Sequence, residues 1–165
     1  MSDGPTPRPA ADSTSNLIRW MGIQDANNAG FVHGGVVMKT CDEAAAIAAI
    51  RHSGCRVVTA GVDRMTFTEP VNTGELLNCS ATVNAAWRTS MEIGVRVEAE
   101  NPQSGKRRHT STAYVTMVAL GEDGKPTTVP GVIAETEVEQ RRQREAELRR
   151  ANRLAERNQI LGERD

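Results

Sequence analysis

The stretch His33 to Gly54, HGGVVMKTCDEAAAIAAIRHSG, constrains the fold of this chain more than any other. After its opening glycines it holds almost only good helix formers, and Gly54 stands where a C-terminal cap belongs. The pattern predicts one helix of about five turns. After it the apolar period drops to two. Leu77, Cys79, Ala81, Val83, Ala85 and Trp87 alternate with small or polar residues, as do Met91, Ile93, Val95, Val97 and Ala99. Two half-buried strands follow, joined by a turn near Arg88 and Thr89. Asn101 to Gly105 reads as a turn and Thr110 to Leu120 as a further strand. Leu17 to Met21 is a short strand, ahead of an Asn- and Gly-rich loop at residues 22–30. Arg56 to Phe67 is rich in Val and Thr but alternates poorly, so a central strand buried on both faces is expected there.

No second helix interrupts the strands, which excludes a doubly wound parallel sheet. The fold class is α+β, an antiparallel sheet wrapped around one long central helix. Such a sheet covers only part of the helix, so self-association is expected. With aromatics at 3%, the core must be built from Val, Ile, Met and Ala. The ends differ from this middle. Residues 1–15, rich in Pro, Ser and Asp, are expected to be disordered, and residues 16–134 to form the domain. Residues 136–165 hold eight Arg and seven acids. A charged helical tail is expected over 135–165, polar nearly all round and lying on the surface or against a partner.

Twenty Lys plus Arg against 21 Asp plus Glu give a net charge of −1, which argues against nucleic acid as a partner. No stretch approaches the ~20 apolar residues of a membrane span, and no secretion signal opens the chain. Cys41, Cys55 and Cys79 form neither a disulfide framework nor a metal pattern, and reduced, buried thiols are expected at Cys41 and Cys79. A cytoplasmic address follows. Serine-hydrolase, zinc-protease and P-loop motifs are absent from the sequence.

On the long helix, Gly35, Met38, Asp42, Ala45 or Ala46, and Ala49 share one face. Asp42 is thus a carboxylate in a stripe of small apolar residues, although Asp is a poor mid-helix residue. Either the stripe is partly solvated or Asp42 satisfies a neighbouring polar group, or Asp42 is a general base or nucleophile beside room for a ligand. Gly34 and Gly35 expose backbone N–H groups at the positive end of the helix dipole, an arrangement suited to a developing oxyanion or simply to a tight helix entry. Asn27, in the preceding loop, offers an amide to orient a water or a carbonyl.

Asp25-Ala26-Asn27 followed by AGFVHGGVVMKTCDEAAAIAAIRH, then VVTAGVDRMTF and TSMEIGVRVEAE, resembles the hotdog-fold acyl-CoA thioesterases, in particular the cytosolic acyl-CoA hydrolase branch in single-domain form. The likeness runs from about Trp20 to Glu139. It implies the hotdog fold and hydrolysis of acyl-CoA to free fatty acid and CoA. In the tandem form of the family, one half supplies an Asn from the loop before HGG and the other an Asp on the helix. Those residues match Asn27 and Asp42, with Asn28 leaving the loop assignment open by one position. A homodimer with two shared sites is therefore implied, and dimers assembling further, commonly as a trimer of dimers. Gly35 N–H would polarise the carbonyl, with His33, Gly34 and Thr59 lining the site. Arg88 with Ser90, and Lys106-Arg107-Arg108, are candidates for the phosphates of CoA, although the second run also reads as a solvated hairpin tip. No metal and no cofactor is implied, CoA being part of the substrate. The rival readings are a hotdog hydratase or dehydratase, for which His33 is the histidine available, and a non-catalytic acyl-CoA-binding scaffold using the tail.

Overall fold

A computed structural model describes residues 4–163 of the chain. The predicted helix is α1, Gly34–Ser53. The His33 side chain caps its N-terminus, and Gly54 ends it in the left-handed conformation at φ 70°, where a side chain would be strained. One flank of α1 buries Val37, Cys41, Ala44, Ala45, Ala48 and Ala49. The alanines let the helix axis approach the sheet closely, so the core needs no rings. None of the five aromatic side chains is buried.

The sheet runs β2 (Ser15–Trp20), β4 (Leu76–Ala86), β5 (Ser90–Glu100), β6 (Arg107–Leu120), β3 (Arg56–Val62), in that spatial order and antiparallel throughout. The alternation read from the sequence is the pleat itself. Cys79, Ala81, Val83, Met91, Ile93, Val95, Val97, Ala113, Val115 and Met117 all point to the concave side and to α1. Cys41 and Cys79 are free and buried together in that core. The Cys79 thiol beside it, and then burial, hold the Cys41 thiol well above its usual range.

Two expectations need correction. The Val- and Thr-rich segment is not a central strand: β3 ends at Val62, pairs only with β6, and lies mostly exposed at the edge. Its apolar character without alternation marks a strand with one uncovered flank, which periodicity does not distinguish from a strand buried on both faces. The first 15 residues, expected to be disordered, are structured from Arg8 onward; Met1–Asp3 lie outside the described residues. Strand β1 (Arg8–Pro9) pairs in parallel with β7 (Val132–Ile133), and Ala10 and Ser13 in the following 3-10 turn are buried. Ser13 Oγ accepts from the Val83 N–H at the point where β4 shifts register. Arg8 donates to the carbonyls of Arg51 and His52, placing a cation at the negative end of α1.

The tail forms α2, Glu137–Gly162, opened by a capping box of Thr136 and Glu139. It packs on the convex face of its own sheet, with Ala146 fully buried. Beneath it Glu92 is also fully buried, bonded by Arg149 at 2.6 and 3.1 Å and by Asn84 at 3.2 Å. Arg149 stacks 3.6 Å over the Tyr114 ring and Arg150 4.4 Å over Trp87. Gly94 makes room for this: a Cβ there would meet Asn84 Nδ2 at 2.7 Å. Among the described residues no helix is long and apolar enough to cross a membrane.

Candidate active site

Asp42 is half-buried on the flank of α1 that faces β3. Thr59 of β3 donates its hydroxyl proton to Asp42 Oδ1 at 2.5 Å. The pair opens on a cavity of about 350 Å³ whose other walls include Met38, Val62, Met65, Ala113 and Val115. A carboxylate oriented by one hydroxyl, with its second oxygen accepting no hydrogen bond among the described residues, is equipped to take a proton from water or to attack an acyl carbon. Of the alanines expected on the same stripe, Ala45 or Ala46, and Ala49, only Ala46 is half-buried, while Ala45 and Ala49 are fully buried in the core. The room for a ligand comes from the gap between α1 and the short edge strand, not from the alanines.

Asn27 lies in the loop that enters α1. Its Oδ1 accepts the N–H groups of Ala29 at 2.9 Å and Phe31 at 3.2 Å. Two backbone donors require oxygen at that position, so the free end of the amide is Nδ2, a donor. This geometry suits holding a carbonyl oxygen. Asn28 is exposed and makes no side-chain hydrogen bond among the described residues. The loop is anchored by Asp25, which the sequence reading passed over. Asp25 is buried, pairs with Arg19 at 2.8 Å, accepts from Gly22 N–H, and receives His33 N–H on its carbonyl oxygen. The available signal was Arg19 itself: it follows Leu17 at period two, on the inward side of β2, where a cation needs an acid.

His33 is the N-cap of α1, its Nδ1 accepting the Gly35 N–H at 3.3 Å. That long contact is the intrachain partner of the expected oxyanion donor. Gly34 packs beside Phe67. Gly35 and Asp42 are seven residues apart on one straight helix, about 10 Å along its axis. One carbonyl and its attacking water span about 3 Å to each catalytic group. Gly35 and Asp42 thus stand about two helical turns apart on α1. Neither Asn27, His33, Gly34 nor Gly35 lines the Asp42 cavity.

The two phosphate candidates lie at opposite ends of β5, about 33 Å apart over its eleven residues. Arg88 is exposed at the β4–β5 turn, and Ser90 faces the convex side, away from Asp42. Lys106 and Arg107 sit at the β5–β6 turn, at the end of the sheet that carries the Asn27 loop, where Phe31 bridges Asn72. Arg107 is paired with Glu100 at 2.7 Å. Arg108 is held by Glu75 at 2.5 and 2.9 Å and by the Pro70 carbonyl, and its guanidinium draws the Glu75 carboxyl below its usual range. Lys106 is the cation of this turn without a side-chain partner among the described residues.

Residues 29–106 match the thioesterase superfamily. The cytosolic acyl coenzyme A thioester hydrolase of Rattus norvegicus is 40% identical over 84% of this chain, which spans only 37% of that relative's length. A crystal structure of an apo-hexameric acyl-CoA thioesterase superposes with a TM-score of 0.88 at 36% identity, over 92% of this chain and 97% of that one. The acyl-CoA hydrolase of Staphylococcus aureus, solved in complex with butyryl coenzyme A, coenzyme A and coenzyme A disulfide, superposes with a TM-score of 0.83 at 33% identity, over 96% and 99%.

Proposed function

This chain belongs to the hotdog acyl-CoA thioesterase family, and on that premise we propose that it hydrolyses acyl-CoA thioesters in a site shared between two copies. Asp42 of one copy removes a proton from water as the water oxygen attacks the thioester carbonyl carbon. The C–S bond then breaks, and the thiolate of CoA recovers the proton from the Asp42 carboxyl. Direct attack by Asp42 through an acyl anhydride, opened by water, gives the same products. Asn27 Nδ2 and Gly35 N–H of the other copy hold the carbonyl oxygen. Thr59 keeps Asp42 oriented. The observation that carries this reading is the Asp42–Thr59 pair at a cavity with apolar walls, on the one flank of α1 that the sheet leaves open.

The spacing of about 10 Å along α1 between Gly35 and Asp42 favours a donor and a base drawn from two copies. The β3 edge supports the pairing, with an unpaired backbone flank and the exposed side chains of Val58 and Val62. Assembly of such dimers in threes accords with the hexameric relative. Lys106 and Arg107, at the Asn27 end, are the better placed of the two cation groups for CoA phosphates. The reading calls for no cofactor and for a cytoplasmic setting. The hydratase alternative needs a free histidine beside the carboxylate, whereas His33 caps α1 and lies outside the Asp42 cavity.

The test is thiol release across acyl-CoAs of increasing chain length, with Asp42→Ala and Asn27→Ala alongside. Loss of a general base is typically worth about 10² to 10⁴ in rate and loss of an oxyanion donor about 10² to 10³. Folded Asp42→Ala with near-full activity would remove the assignment, and tight binding without turnover by the unmodified chain would favour the scaffold.

A further inference from the structure

Helix α2 is longer than the sheet it covers. Its first half lies over β4, Arg149 reaches Tyr114 on β6, and Arg153 pairs at 2.7 Å with Asp63, the residue directly after β3. The helix therefore crosses the strands toward the β3 edge and arrives there at residue 153. Nine more residues follow, about 13 Å of helix, against a strand spacing of about 4.8 Å. All nine are exposed, and among the described residues none makes a side-chain hydrogen bond to another element. Ile160 and Leu161 are 45% and 46% exposed near its end.

The sheet offers an apolar counterpart on the same side. Thr59 reaches Asp42 on the concave side, so its neighbour Val58 faces the convex side with its cross-strand partner Val118. Val58 is 46% exposed. An antiparallel pairing of β3 with its own copy sets the Val62 end of one strand against the Arg56 end of the other. A helix that leaves one sheet above Asp63 then lands on the partner sheet near Arg56 and Val58. Isologous symmetry makes the contact occur twice.

We propose that the C-terminal turns of α2, residues 154–162, strap the dimer by seating Ile160 and Leu161 on the Val58–Val118 patch of the second copy's convex face. The strap rests on the two-copy reading above and adds to it a residue-level contact on the opposite face of the sheet from the catalytic cavity. It also accounts for a helix whose last nine described residues are all exposed.

The full chain is tested in a Cys55→Ser background, which leaves Cys41 and Cys79 buried. Val58→Cys combined with Ile160→Cys, treated with a short bis-maleimide, is expected to give a covalent dimer in far higher yield than either single variant. In parallel, Ile160→Asp with Leu161→Asp is expected to raise the dimer dissociation constant at least about tenfold in sedimentation, leaving helix content by circular dichroism and thiol release at saturating protein unchanged. A chain that sediments as a dimer, but whose double-cysteine variant cross-links no better than the singles, overturns the strap and leaves the shared site standing. An unchanged dissociation constant for the aspartate variant overturns it as well. A chain that sediments only as a monomer removes both.

Discussion

The two faces of the sheet solve opposite problems. On the concave side, α1 is held by Ala, Val, Cys and Met packed without a ring, and the carboxylate of Asp42 stands at the margin where packing stops. On the convex side, α2 is polar nearly all round and is held by Glu92, a fully buried carboxylate wrapped by Arg149, Asn84 and Arg153. The inner acid is left with an open oxygen and a cavity, the outer acid with neither. The contrast separates function from structure: an acid available for chemistry is half-solvated and singly bonded, while an acid used as a fastener is saturated.

This contrast is open to direct attack. The largest effect is expected from Asp42→Asn, which should lower thiol release by about 10² to 10⁴ while leaving the urea midpoint close to that of the parent. Arg149→Met should do the reverse. Stripping Glu92 of its main partner should cost about 3–5 kcal/mol of stability by denaturant unfolding, with kcat per folded site retained. Pairing it with Glu92→Met should recover most of that loss; failure to do so would mean that the pair does more than satisfy its own charges. Next in size, Ala45→Leu should cost about 1–3 kcal/mol, because it overfills the contact that brings α1 close to the sheet.

The smallest expected effect is a pH slope. His52 ends α1 fully buried, with Nε2 against the Pro130 carbonyl oxygen at 2.9 Å and Nδ1 unpartnered. Burial pushes its pKa down from the usual 6.5. The unfolded chain therefore binds the proton more readily, and stability should fall as pH drops from about 6.5 toward the depressed folded value. For one proton the slope is at most about 1.4 kcal/mol per pH unit. Unfolding curves at several pH values should show this slope in the parent and not in His52→Gln.

Local pattern made much of the molecule legible. Gly54 after an alanine-rich run marks the end of α1, and strict alternation marks β4, β5 and β6 to within a few residues. Asp42 was visible because a carboxylate in a small apolar helix stripe is out of place. What escaped were relations between distant segments. The Pro-rich lead looks disordered by composition, yet Arg8 and Ser13 find carbonyl and amide partners 43 to 70 residues away. Arg88 and Lys106 look like one class of cation until β5 sets them at opposite ends. Glu92 reads as an ordinary outward-facing acid until α2 covers it.

The sequence by itself determined most of the elements and singled out Asp42 as the carboxylate proposed to act on substrate, because helix and strand periods and capping act over a few residues and leave their mark in the order of side chains. Only the tertiary structure decided that β3 is an edge, that the cavity beside Asp42 lies between that edge and α1, and that Gly35 and Asp42 stand about 10 Å apart along one helix. Those outcomes depend on which segments become neighbours and on the rigid 1.5 Å rise of a helix, and neither is written in any local pattern.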